Sequence, residues 1–253
     1  MFGFTLKNLL VVLHLDVDVN TGRHFQSLKS INSLLSGSHD VDQSLVSSLL
    51  ELFSGVLVLV YYRQLTDLYH RGIVRTSSHS LGQEMNITAS QIRQDFSCFG
   101  EFGQQGYGYN VEELRSEIGH ILGVDNDHHL IMIGVGNLGR ALLNNFPFEN
   151  TGFTVDASFD VSPDVIDTQI NGIPVYSTDE LESYIKRHAV DVVVLTIPQA
   201  VAQATANRLI DLGIRGFWNF TNVELSSPNP DVQFENIHFA DSLLTLSYRI
   251  ANH

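Results

Sequence analysis

Three glycines set the strongest constraint on this chain. The segment Gly134-Val135-Gly136-Asn137-Leu138-Gly139 closes an apolar run that begins at Leu130 and opens a stretch with helical spacing. In a strand–turn–helix of this spacing the first glycine permits the tight turn. The second lets a dinucleotide's pyrophosphate approach the backbone, and the third lets helix pack on strand. The helix start then offers unpaired N–H groups and the positive end of its dipole to the phosphates. Glycines serve ordinary turns too, so the surroundings decide. A second apolar run, Thr154 to Phe159, ends in Asp160, about twenty residues past the last glycine. A carboxylate there accepts both ribose hydroxyls and repels a 2′-phosphate, which favours NAD(H) over NADP(H).

The rest of the second half keeps this rhythm. Val192 to Ile197 and Ile214 to Asn219 are apolar runs suited to a buried parallel sheet, with helical stretches at Thr178 to His188 and Gln199 to Leu212. Residues 125–233 are therefore expected to form an α/β, doubly wound (Rossmann) domain. In the tail, 234–253, Phe239, Leu243, Leu246 and Ile250 fall on one helix face. Such a stripe at the end of a chain suits docking on a neighbour, including another subunit.

Upstream, residues 60–124 read as short helices, a turn-rich ribbon and a further helix. Tyr61 to Arg71 has apolar residues at helical spacing, with Gly72 placed to cap it. Ser78 begins a second helix containing Leu81 and Met85. Thr88 and Gln91 form a capping-box pattern that opens a third, with Ile92 and Phe96 inward and Ser90, Gln91, Arg93 and Gln94 outward. Gly100, Gly103, Gly106 and Gly108 punctuate an aromatic stretch that predicts a two-stranded wing, and Val111 to Leu122 is a closing amphipathic helix. Residues 1–59 carry no recognisable motif. His14 to Asn20 alternates like a short strand, and Ser44 to Leu59 has a helical reading that Gly55 and the valines oppose near its end.

Composition narrows the chemistry. Cys98 is the chain's single cysteine, so there is no internal disulfide, as suits a reducing compartment. The net charge of −14 repels nucleic acid at long range, so a DNA-binding role needs a local basic face. Val46 to Tyr62 is apolar but interrupted by Glu51 and short for a membrane span. Leu9 to Leu13 lacks the cleavage site of a signal peptide. A dehydrogenase needs a proton donor or acceptor near the nicotinamide. His128 and His129 precede the first strand at its wrong end, and neither His188 nor His238 has a partner in a triad or metal-ligand spacing. The expectation is a binding site without catalysis or metal.

From Tyr61 to Tyr248 the chain resembles the bacterial redox-sensing repressor family called Rex. The resemblance is carried by Tyr61-Tyr62-Arg63, Ile87 to Ser97, Phe99-Gly100-Glu101-Phe102-Gly103 and Gly106 to Val111. It continues through Gly134 to Leu142, Gly172-Ile173-Pro174-Val175-Tyr176, Leu195 to Pro198 and Leu246-Ser247-Tyr248. It implies a cytoplasmic homodimer with exchanged C-terminal helices. NADH closes that dimer and releases operator DNA, while NAD+ competes without releasing it. The fold implied is an N-terminal winged helix-turn-helix, a Rossmann domain and a C-terminal swapped helix. Thr88, Ser90, Gln91, Arg93, Gln94, Ser97 and Tyr107 would face DNA. Gly134, Val135, Gly136, Asn137, Leu138 and Gly139 would surround the pyrophosphate, with Asp160 on the ribose. Thr196, Pro198 and the partner's Phe239 would approach the nicotinamide. Arg63 would pair with the swapped tail in one redox state, where this chain has His238 and, one helical turn on, Asp241.

The chain departs from that pattern in places. Gly55 to Val60 replaces a basic, proline-containing stretch, Gln104-Gln105 replaces basic wing residues, His238 replaces an aspartate, and Asn145 or Phe146 replaces a tyrosine. The first 59 residues have no counterpart; a misassigned start or an upstream frameshift is the favoured reading over a genuine extra segment. Between Arg63 and Gly123, Arg63, Arg71, Arg75, Arg93 and Arg115 are outnumbered by Asp67, Glu84, Asp95, Glu101, Glu112, Glu113 and Glu117. Two alternatives therefore stand beside a repressor: a nucleotide-sensing dimer that has lost DNA binding, and an NAD-dependent oxidoreductase.

Overall fold

The computed structural model of the protein describes residues 43–100, 102 and 107–252, with side chains from Leu57 onward except those of Cys98 and Phe99. The expected strand at His14–Asn20 and the wing tip at Gln104-Gln105 lie outside the described residues. The chain divides into two compact units, with the boundary along the chain between Gly123 and Val124.

In the first unit, α1 (Gln43–His70) is followed by β1 (Arg75–Thr76), α2 (Ser78–Met85), α3 (Ala89–Phe99), β2 (Tyr109–Asn110) and α4 (Val111–Leu122). Leu57, Val58, Tyr61, Leu65 and Leu68 recur on one face of α1 and are all buried, packed with Leu81, Met85, Ile92, Phe96, Val111, Leu114 and Ile118. The sequence separates a helix ending near Leu59 from one beginning at Tyr61, whereas α1 runs unbroken through both. Gly55 and the valines oppose helix by at most about 1 kcal/mol each. Each large apolar side chain buried on the far side of that junction returns about 1.5–3 kcal/mol, so packing overrides propensity.

The ribbon also differs from expectation. Tyr109–Asn110 pairs antiparallel with Arg75–Thr76, before α2, so the described part of the glycine-rich stretch supplies one strand to a non-local pair.

The second unit opens with β3 (His128–Ile133), α5 (Asn137–Asn145), β4 (Phe153–Asp160), β5 (Gln169–Ile170) and β6 (Ile173–Ser177). It continues with α6 (Leu181–Ile185), β7 (Val192–Leu195), α7 (Gln199–Asp211), β8 (Gly216–Asn219), β9 (Gln233–Asn236) and α8 (Phe239–Ala251). Strand order is β5-β6-β4-β3-β7-β8-β9, parallel throughout except for β5 against β6. The order reverses at β3, so the crevice between the carboxyl ends of β3 and β7 is the topological switch point where such sheets bind ligands.

One face of the sheet buries Leu130, Met132 and Val194 with Leu143 of α5. The other buries Ile131, Val193 and Leu195 with Ala202, Ala206 and Leu209 of α7. His128 and His129 lie inside β3 rather than before it. The expected helix at Thr178–His188 resolves into a 3-10 turn (Thr178–Glu180) and the single-turn α6. No described helix is long and apolar enough to cross a membrane.

Candidate functional site

The crevice begins with Gly134, whose φ of +93° suits glycine and turns the chain out of β3. A Cβ on Gly134 would meet the Thr196 carbonyl oxygen at 2.7 Å, so this position is also closed to side chains by the neighbouring strand. At Gly139 a Cβ would collide with the Gly134 carbonyl oxygen and stand 3.0 Å from Thr196 Oγ1. Gly136 is different. Nothing lies within 4 Å of where its Cβ would be, so no contact inside the chain explains the missing side chain. Gly136 is also the N-cap of α5 and gives that helix no side-chain cap. The bare glycine and the uncapped N–H groups together form an open cradle of the kind a pyrophosphate fills.

Asp160, at the carboxyl end of β4, does more than the sequence reading assigns to it. Its Oδ2 accepts the Val135 N–H at 2.7 Å, and its Oδ1 accepts the Ser162 N–H at 2.8 Å. The carboxylate thus ties the glycine loop to the end of β4. A carboxylate has about four acceptor positions, so capacity remains for ribose hydroxyls. A second tie comes from Thr196, beyond β7, whose hydroxyl donates toward the Gly134 carbonyl at 2.5 Å and the Ile133 carbonyl at 3.2 Å. Thr196 therefore braces the loop from the other side of the switch point. Pro198 is exposed and caps α7 without a side-chain hydrogen bond. Asn137 is exposed and Leu138 half-buried at the start of α5.

The end of β8 and the turn that follows it form a further part of the crevice wall that no sequence motif marks. Asn219 and Thr221 are buried there and bonded to each other, and the Phe220 ring lies 6.0 Å from that of Phe239 in the same chain. The available signal is a polar residue, Asn219, closing an apolar strand in register with Leu195 of β7. Phe239 itself is 52% exposed.

In the first unit, Thr88 and Gln91 form the expected capping box: Thr88 N–H donates to Gln91 Oε1 at 3.0 Å, and Gln91 N–H donates to Thr88 Oγ1 at 3.2 Å. Gly82 makes the helix-turn-helix compact, because a Cβ there would stand 2.6 Å from the Ile87 carbonyl oxygen in the turn. Ile92 and Phe96 are buried while Ser90, Arg93, Gln94 and Ser97 are exposed, so α3 presents a polar outer face; Gln91, expected outward, is half-buried because its side chain turns back to cap at Thr88. Arg93 donates to Ser78 Oγ at 3.1 Å and Ser97 to the Gln94 carbonyl at 2.7 Å. Tyr107 is 73% exposed. Beneath this face the Tyr61 hydroxyl donates to Asp95 Oδ2 at 2.7 Å, and burial, then the Asp95 charge, push the Tyr61 pKa well above its ordinary value.

Charge on this unit is partly neutralised internally. Arg71 pairs with both Asp67 and Glu84; Arg75 keeps its charge but is held by a bond to the Tyr107 carbonyl. Arg63 is exposed on α1, while His238 and Asp241 begin α8 in the other unit. At the opposite end of the sheet from the crevice, an apolar hollow of about 460 Å³ includes Phe146, Phe148, Phe153 and Trp218 in its lining. It offers no glycine loop or helix start to a phosphate. Among the described residues no group of three or more His, Cys, Asp or Glu is placed to hold a metal ion.

Known proteins with the same layout bear on these two regions. A family described as CoA binding domain matches residues 125–223, and one described as putative DNA-binding protein N-terminus matches residues 58–97. The redox-sensing transcriptional repressor Rex of Clostridium botulinum (strain Eklund 17B / Type B) is 44% identical over 190 residues, covering 75% of this chain and 90% of that protein. A crystal structure of RSP in complex with beta-NAD+ and operator DNA aligns with a TM-score of 0.72 at 40% identity, covering 85% of this chain and 94% of that one. RSP in complex with beta-NADH aligns with a TM-score of 0.69 at 38% identity, over 85% of this chain and 96% of that one.

Proposed function

The chain belongs to the Rex family of redox-sensing transcriptional repressors, and we propose that it binds operator DNA as a homodimer and leaves it when NADH fills the crevice. The observation that carries this is Gly136, a glycine with open space where its side chain would be, on an uncapped helix start beside Asp160. In this reading residues 60–124 read DNA, 125–233 bind NAD(H), and 234–253 exchange between subunits. Gly134 to Gly139 hold the pyrophosphate, Asp160 the ribose, and Thr196, Pro198 and the partner's Phe239 flank the nicotinamide. NAD(H) supplies its redox state as a signal; the chain's residues bind and orient it, and the protein is no enzyme. Its place of action is the cytoplasm.

The exposed Leu243, Leu246 and Ile250 of α8 support the dimer. Burying each on a second copy is worth about 1.5–3 kcal/mol, a strong bias for so short a helix. On the DNA side, α3 enters a major groove with Thr88, Ser90, Gln91, Arg93, Gln94 and Ser97, and Tyr107 lies beside it. Release follows from linkage: NADH must bind more tightly to the arrangement that fits DNA poorly. Arg63, His238 and Asp241 are the residues proposed to differ between those arrangements.

The acidic balance of the first unit favours a second reading, a nucleotide-sensing dimer without tight DNA binding. Anisotropy of a labelled palindromic operator fragment, titrated with the full chain with and without NADH, separates the two. Binding that NADH reverses supports the repressor. Intact NADH binding with no operator binding at low salt supports the second reading and defeats the first.

A further inference from the structure

The last residue of β8 is a buried amide with every hydrogen-bonding position in use. Asn219, 1% exposed, donates from Nδ2 to the Val223 carbonyl at 2.7 Å and to Asn236 Oδ1 at 2.7 Å. Its Oδ1 accepts the Thr221 N–H at 3.0 Å and the Thr221 hydroxyl at 2.7 Å. Two donors and two lone pairs are the whole capacity of an amide, so its orientation is fixed. Asn236, the last residue of β9, also accepts the Leu225 N–H at 3.2 Å through the same Oδ1.

The backbone around this pair runs in two directions. Phe220 N–H donates to the Leu195 carbonyl at 2.9 Å, one residue before the Thr196 that braces the glycine loop. Ile237 N–H donates to the Asn219 carbonyl at 2.8 Å, two residues before α8 begins at Phe239. The amide pair therefore joins the floor of the crevice to the stem of α8. Polar groups bonded this completely in a packed interior do not stretch gradually; they hold or they break.

We propose that Asn219 and Asn236 are positioning residues, a clasp that transmits occupancy of the crevice to the setting of α8. The proposal rests on the reading of the crevice as the NAD(H) site. A displacement of the Thr196 loop passes through Leu195 and Phe220 to Asn219, and from Asn219 to Asn236 and Ile237. Without the clasp, the loop and the α8 stem move independently.

The test uses the full chain, with Trp218, its single tryptophan, reporting NADH binding by energy transfer. Asn236→Leu removes the acceptor for Asn219, whereas Asn236→Asp keeps it and gives up only the long 3.4 Å bond from Asn236 Nδ2 to the Leu225 carbonyl. Hydrogen exchange of α8 is measured with and without NADH. Asn236→Leu is expected to bind NADH within about threefold of the unaltered chain. Its α8 amides lose their NADH-dependent change, and the ratio of operator affinities in NAD+ and NADH falls about tenfold, the scale of an ordinary allosteric coupling. Asn236→Asp restores both, a rescue that a general loss of stability does not predict.

An NADH-dependent change in α8 that survives Asn236→Leu overturns the clasp. If that variant does not fold, Asn236→Ala, which removes the same acceptor without adding a larger apolar group, is read instead, and an unchanged α8 response again overturns it. Hydrogen exchange needs no DNA, so loss of operator binding in the unaltered chain defeats the repressor reading alone. An unaltered chain that binds no NADH defeats the crevice reading, and the clasp falls with it.

Discussion

Adding one methyl group to each of two neighbouring glycines should have opposite consequences. Gly139→Ala places a Cβ against the Gly134 carbonyl oxygen and 3.0 Å from Thr196 Oγ1, in a loop whose backbone cannot yield without breaking the Thr196 bonds. Overpacking of this kind costs about 1–3 kcal/mol of folding stability. Gly136→Ala meets nothing within 4 Å, and the φ of −64° at Gly136 suits alanine. Stability is then unchanged or raised by about 0.4–1 kcal/mol, because the unfolded chain loses freedom. In the proposed placement the same methyl stands where the pyrophosphate approaches, and it would hold the phosphate beyond hydrogen-bonding distance of the loop. Losing one charge-assisted bond is worth about 1.5–3 kcal/mol. That is a loss of about 10- to 150-fold in NADH affinity. Thermal unfolding without ligand and an NADH titration read by Trp218 measure both quantities on the same samples. A Gly136→Ala chain that binds NADH normally refutes the placement of the pyrophosphate, and one as unstable as Gly139→Ala refutes the steric account of the loop.

Other expectations test other parts of the molecule. Asp160→Asn leaves the Val135 or Ser162 N–H facing an amide NH2; it should cost about 1–3 kcal/mol of stability and narrow the preference for NADH over NADPH in competitive titration. The fold holds the Tyr61 phenol protonated through burial and the Asp95 charge, so stability of the first unit is complete below the unfolded value of about 10 and declines as pH rises above it. Tyr61→Phe should flatten that alkaline decline in urea unfolding. The Asp156 hydrogen bond, then its charge, raise the His129 pKa. The stabilisation from this pair is present below about pH 6.5 and lost as pH rises through the raised folded value. Asp156→Asn should lower the His129 midpoint in ring NMR and remove that slope. Leu246→Glu places a charge on the exposed stripe of α8 and should shift sedimentation from dimer toward monomer without changing the helical content of the chain.

The glycine loop, Asp160 and the Thr88–Gln91 cap are legible in the sequence because their chemistry is local. Each depends on residues a few positions apart, or on a spacing that the strand–helix–strand unit itself fixes. The continuity of α1 is hidden because Gly55 and the valines speak locally against helix, while the burial of Leu57 to Leu68 that overrides them comes from α2, α3 and α4. The partner of Tyr109–Asn110 is hidden for the same reason, lying across two helices at Arg75–Thr76. Within the crevice, the spacing to the glycines points to Asp160, but its bonds to Val135 and Ser162 arise only when β4 folds against the loop. Asn219 and Asn236 are 17 positions apart and carry no motif; only the parallel register of β8 and β9 brings them opposite each other.

A chain that converts the ratio of NADH to NAD+ into occupancy of DNA must respond to that ratio alone. The most direct measurement holds total dinucleotide constant, varies that ratio, and follows operator anisotropy with the full chain at low salt. The bound fraction is expected to be high in NAD+ and to fall steeply as NADH replaces it, with Gly136→Ala needing about 10- to 150-fold more total dinucleotide to respond. Operator binding that is the same at every ratio, in a chain that demonstrably binds NADH, would contradict that expectation.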